Sequence, residues 1–154
     1  VYMLDAGIWI PRGGKIDIGG MLFLGSVSLS ANGLVLAVGG TPTNADENPA
    51  VVRIFRLKLG EWLELGEGVK GKVEDTAYQA VLSGDGTIVT VSNYYVGPVG
   101  SAQAESNDAL DARALEWSPD QNKWILLGEN LHASAPGPKS GYFISLSDDG
   151  TIIA

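Results

Sequence analysis

An all-β chain of iterated four-stranded antiparallel units is what this sequence predicts, and three observations carry the prediction. A strand–turn–strand pattern is written three times, as "SVSLSANGLVLAVGG" (26–40), "YQAVLSGDGTIVTVSN" (78–93) and "YFISLSDDGTIIA" (142–154). A tryptophan followed by apolar residues and a glycine also occurs three times, in "WIPRGGKIDI" from Trp9, "WLELGEGVKG" from Trp62 and "WILLGENLHA" from Trp124. The 21 glycines and 7 prolines suit many tight turns, and no run carries helical periodicity. Only "ESNDALDARAL" (105–115) has room for one turn of helix.

The elements follow in order. "VYMLDAGIWIPRG" (1–13) predicts a hairpin with Ala6-Gly7 at its turn, and "GGKIDIGG" (13–20) a connection. In the three long hairpins the turns fall at Asn32-Gly33, Asp85-Gly86 and Asp149-Gly150, because a tight turn that matches strand twist needs positive φ. Between them lies a second pair of strands: Val51–Leu57 and Trp62–Leu65 about a turn near Gly60, then "ARALEW" and Trp124–Leu127 about the turn Ser118–Asn122. The second copy is the longer one, and its extra length falls in the polar, small-residue stretch "VGPVGSAQAESNDALDA", where a loop insertion belongs. Each tryptophan is expected to open an outermost strand and cover the neighbouring unit, with the glycine ending that strand.

Four strands in about 50–60 residues suit a β-propeller blade. Full blades are expected over about 20–70 and 77–132, with blade halves at 1–17 and 141–154. The chain opens with an outer strand pair and stops after an inner one, so the halves add up to one further blade. About three blades fall short of the four to eight of known propellers. The expectation is therefore a segment of a larger propeller, favoured because "TIIA" breaks off where "LAVGG" continues in the first copy. The alternative is a homo-oligomer, most simply a six-bladed dimer in which each chain completes its neighbour's last blade.

Bulk properties narrow the partners. The chain has 154 residues, the size of one domain, with 45% hydrophobic residues and a formal charge of −8. With no basic cluster, that surface repels phosphate backbones and anionic membranes. There is no cysteine, which removes disulfides, thiolate metal sites and Cys nucleophiles. No apolar run reaches a membrane span, and "VYMLDAGIWIPRGG" is not expected to act as a signal peptide. The absence of a starting Met leads to the expectation of a mature product or a piece of a longer chain.

The stretch "SLSANGLVLAVGG…AVVRIFRLKLGEWLELGEGVKG" resembles propeller repeats related to FG-GAP units, of the type common in marine microbial and algal proteins. "ALEWSPDQNKWILLG" is similar to the kelch hairpin, which places Gly-Gly at the end of one strand and Trp in the last. The FG-GAP resemblance implies a calcium loop of the D-x-D-x-D-G kind, and the matching segment is "TPTNADENPA". There Asn44, Asp46 and Asn48 alternate with one carboxylate among the three, beside Glu47, fewer charged oxygens than a hard cation wants. A solvated acidic turn is the expectation there and at Glu105, Asp108 and Asp111, with a Ca²⁺ site as the minor reading. Kelch is departed from too: Gly39-Gly40 occurs once, and Ser92-Asn93 stands in its place in the second copy. The acidic composition, the lack of cysteine and this resemblance together lean the setting slightly toward an extracellular or organellar lumenal one.

Catalytic chemistry finds little support. The single histidine, His132, lies in "ENLHASAPG", and no G-x-S-x-G elbow accompanies it. No cluster of His or carboxylates suits a metallohydrolase, and nothing selects two acids for a glycosidase. The "SLS" at 28–30 and at 145–147 is read as structural, its hydroxyls bonding the turn backbone. Asp75 is expected to cap the entry to the next inner strand. Tyr94 and Tyr95, placed on the loop leaving an inner strand, are the candidate contact surface for a protein or carbohydrate. The functional expectation is a non-enzymatic propeller module for protein–protein interaction or scaffolding. Its alternative is an extracellular carbohydrate-binding or adhesive lectin-like propeller assisted by calcium.

Overall fold

The computed structural model describes residues 1–19, 21–42, 50–70, 76–95, 111–132 and 143–154. Among these the chain is all-β, without helix, and its strands form three antiparallel sheets. Of the one segment with room for a helical turn, residues 111–115 are strand and the rest lies outside the described residues.

The first, small sheet pairs β1 (Tyr2–Asp5) with β2 (Ile8–Pro11). Their turn is Ala6-Gly7, with φ of 46° and 85°, the pair of positive angles that a two-residue hairpin requires. The middle sheet runs β3 (Met21–Leu29), β4 (Val35–Pro42), β5 (Ala50–Lys58) and β6 (Glu61–Glu64), each strand beside its predecessor. Leu59-Gly60 closes its outer hairpin with the same positive angles, 52° and 84°. A short β7 (Val69–Lys70) pairs β5 again, so β6 and β7 are one strand interrupted at Leu65–Gly68. The last sheet runs β8 (Thr76–Leu82), β9 (Ile88–Tyr95), β10 (Asp111–Ser118) and β11 (Lys123–His132) in the same way. Here the outer strand stays continuous but carries a bulge, because Ala112 faces Leu131 while Ala114 faces Leu127.

The apolar run Val35–Val38 in β4 is unbroken because both faces of the middle sheet are covered. Val35, Ala37, Val52 and Ile54 pack on Tyr78, Ala80, Val89 and Val91 of the last sheet. On the opposite face Leu36, Val38, Phe55 and Trp62 meet Val1, Ile16 and Ile18 from the N-terminal segment. Ile54 and Val52 are completely buried, and truncating Ile54 to alanine would cost on the order of 2–5 kcal/mol. The outside strands are different. Both β1 and β2 are exposed along their whole length, including Tyr2, Leu4, Ile8 and Trp9.

The connecting segment between β2 and β3 is also tied to the middle sheet by a charged side chain. Arg53 on β5 makes a bidentate ion pair with Glu64 on β6 through Nε (2.7 Å) and Nη2 (2.6 Å). Its Nη1 donates to the Asp17 carbonyl at 3.0 Å, and its guanidinium stands 5.3 Å from the Phe55 ring. Glu64 first, and Asp17 after it, stabilise the charged guanidinium and raise its pKa, against the cost of burial.

Candidate functional site

The long hairpins share one turn, built from the backbone up. In the middle sheet Gly33 N–H donates to the Ser30 carbonyl at 2.8 Å, and Gly33 takes a φ of 66°. Ser30 Oγ donates to Asn32 Oδ1 (2.9 Å) and accepts from Val35 N–H (2.9 Å), while Asn32 Oδ1 also accepts from Leu34 N–H. The same bonds recur at Ser83, Asp85, Gly86, Thr87 and Ile88. They recur again at Ser147, Asp149, Gly150, Thr151 and Ile152. Each Asx side chain replaces a backbone acceptor and each serine satisfies the next strand's first donor. The Thr87 backbone and the Ser83 hydroxyl hold the Asp85 carboxyl below the ordinary carboxylate range, against partial burial. The Ser147 hydroxyl does the same for Asp149.

These turns are linked to one another. Ala31 N–H donates to the Gly84 carbonyl at 2.8 Å, and Gly84 N–H donates to the Asp148 carbonyl at 2.8 Å. The three residues hold the same place in their turns, so a single file of backbone bonds runs from one sheet to the next. Side chains complete the seam. Ser26 Oγ accepts from Ala80 N–H (2.8 Å) and Ser28 Oγ from Leu82 N–H (2.9 Å), which satisfies donors of β8 that β9 does not take. A Cβ on Gly39 would collide with the Tyr78 carbonyl, so the missing side chain lets β8 approach β4.

At the other end of each sheet the tryptophans make the link. Trp62 Nε1 donates to the Arg12 carbonyl at 2.9 Å, and Trp124 Nε1 to the Leu65 carbonyl at 3.0 Å. Each acceptor lies three residues after the previous sheet's tryptophan. The glycine that follows it makes room: a Cβ on Gly13 would come within 2.5 Å of Trp62 Nε1, and one on Gly66 within 2.9 Å of Trp117. Trp117 in turn lies 5.4 Å from Trp124, tilted by 55°. Trp62 and Trp124 are 8% and 9% exposed, whereas Trp9 is 66% exposed and makes no hydrogen bond among the described residues. The expectation that all three tryptophans cover a neighbour therefore holds for two.

The remaining sequence candidates fall as follows. Gly33, Gly86 and Gly150 occupy the turns with φ of 66°, 74° and 72°. Of the "SLS" serines, Ser30 and Ser147 bond the turn backbone as expected, but Ser28 bonds the neighbouring sheet. Tyr94 and Tyr95 lie within β9, their backbones opposite Ala77 and Thr76, and not on the loop leaving it. His132 ends β11 opposite Asp111. Asn44, Asp46, Asn48, Asp75, Glu105 and Asp108 lie outside the described residues. Among the described residues no three His, Asp or Glu side chains group as a metal site would. Sequence reasoning missed the acceptor roles of Arg12, Leu65, Ser26 and Ser28 and the tie made by Arg53. The only available signal was the spacing of each carbonyl from its tryptophan.

Fold and seam together define an all-β chain of antiparallel meanders stacked face to face. Compared with known proteins, it matches no family model, no curated protein and no solved structure.

Proposed function

We propose that the chain is a segment of a β-propeller and serves as a non-enzymatic module for protein–protein interaction or scaffolding. The observation that carries this reading is the file of bonds from Ala31 to Gly84 to Asp148, which joins equivalent turns at one end of two successive meanders and of the 143–154 hairpin. Blades arranged about an axis bring their innermost turns together in that manner. The polar groups nearest this end support a structural use: Ser83, Asp85, Ser147 and Asp149 spend their oxygens on the turns that hold them. What such a construction offers a partner is rigid surface.

Small-angle scattering and electron microscopy of the purified assembly test the architecture. A flat particle with a central hole is the expected result, and a single closed barrel or an elongated rod overturns the reading. A glycan array tests the function. Selective binding of one glycan class would replace scaffolding with carbohydrate recognition.

A further inference from the structure

We infer that the Leu127 carbonyl and Gly128 form a seat for an indole, and that its occupant is Trp9 of a second copy of this chain. This rests on reading the sheets as blades. Leu127 and Gly128 follow Trp124 as Leu65 and Gly66 follow Trp62, and as Arg12 and Gly13 follow Trp9. The two earlier seats are filled, by Trp124 and Trp62 respectively. The third is open: Gly128 has the same left-handed φ, 74°, yet a Cβ placed on it meets nothing within 4 Å. The sequence that fills such a seat is an outer strand opening with tryptophan. The chain offers one, because β2 exposes Trp9.

Three further links end at the same junction, with their two halves at opposite ends of the chain. Residues 143–154 form an inner pair joined at the Leu146–Ile153 bridge, and β1 and β2 have the form of an outer pair. Ser145 holds the place of Ser28, whose hydroxyl accepts from Leu82 N–H; the matching amide is that of Leu29, on the exposed edge strand β3. The Asp148 amide continues the turn file toward the Ala31 carbonyl. Ile152, 67% exposed, stands where Val35 covers Gly86 and Ile88 covers Gly150, and its target is Gly33. The Arg12 guanidinium now beside Gly33 is the flexible end of a long side chain and gives way. One head-to-tail contact thus satisfies all four links. Two such contacts close a pair of chains into six blades.

Light scattering across a concentration series tests this on the intact chain. The expected mass is twice the 16.1 kDa of one chain. Trp9→Ala and Gly128→Asn should each reduce it to one chain without loss of fold, since Trp9 is exposed and asparagine tolerates positive φ. Mixing the two variants should restore the pair, because one junction then has an intact Trp9 facing an intact seat. The chain has no cysteine, so Leu29→Cys with Ser145→Cys should cross-link between copies and not within one. A single-chain mass at every concentration, as when a further blade of a longer chain is the occupant, overturns the proposal. So does a dimer indifferent to both variants. Failure of the propeller reading shows separately, as a complementing dimer whose scattering lacks the central hole.

Discussion

The indole of Trp124 donates to the Leu65 carbonyl at 3.0 Å, across a sequence separation of 59 residues. That bond ties the outer strand of one sheet to the bulge that ends the outer strand of the sheet before it. Trp124→Phe keeps most of the buried ring and leaves the carbonyl without its donor, for an expected loss of about 1 kcal/mol. Trp124→Ala also opens a cavity beside Trp117 and should cost about 3–5 kcal/mol. Urea denaturation followed by circular dichroism checks the order; equal losses from both would mean the hydrogen bond carries the whole effect.

Ser28→Ala removes the acceptor of the Leu82 amide at a part-buried seam. The expected cost is about 1–3 kcal/mol. The more diagnostic readout is hydrogen exchange, which should quicken at Leu82 in Ser28→Ala and at Ala80 in Ser26→Ala. Uniform quickening along β8 would point instead to general loosening.

Gly39→Ala tests the close approach of the two sheets. Gly39 has no positive φ, so its constraint is space, taken up by the Tyr78 carbonyl and the Ser26 hydroxyl. An added methyl must push β8 away, and overpacking of this kind costs about 1–3 kcal/mol. A thermal midpoint unchanged from the parent would contradict the contact.

Thr90 is fully buried, and its Oγ1 makes no hydrogen bond among the described residues. Thr90→Val keeps the shape and removes an unsatisfied polar atom, so stability should hold or rise by up to about 1 kcal/mol. A clear loss of stability would reveal a partner for the hydroxyl.

Acid sensitivity follows from Asp85. Its carboxyl is bonded in the folded state by Thr87 and Ser83, which lowers its pKa relative to the unfolded chain. The unfolded carboxyl takes up its proton first, near pH 4. The stabilisation is therefore complete above that point and is lost as pH falls toward the folded value. Asp85→Asn should retain the turn, since Asn32 already holds the equivalent one, and should flatten the acid limb of stability against pH. An acid limb as steep as the parent's would show that other carboxyls govern it.

Much of the strand layout was legible beforehand. Asn32-Gly33, Asp85-Gly86 and Asp149-Gly150 announced their turns because positive φ and an Asx acceptor are local demands. Boundaries slipped by a residue or more: β5 runs Ala50–Lys58 where Val51–Leu57 was expected, and β7 was not foreseen because its pairing follows a bulge. Tyr94 and Tyr95 were misplaced for a related reason, since β8 extends far enough to pair them.

By itself the sequence determined where the chain turns and which runs are apolar, because both follow from neighbours a few residues apart. It also announced three tryptophans in like settings. Only the tertiary structure decided that two are seated and one is bare, because the acceptor is a backbone carbonyl. Arg12 and Leu65 differ in side chain while presenting the same C=O. Ser28 shows the same limit, for its hydroxyl serves whichever amide the next sheet brings alongside, and that depends on stacking between residues far apart in the chain.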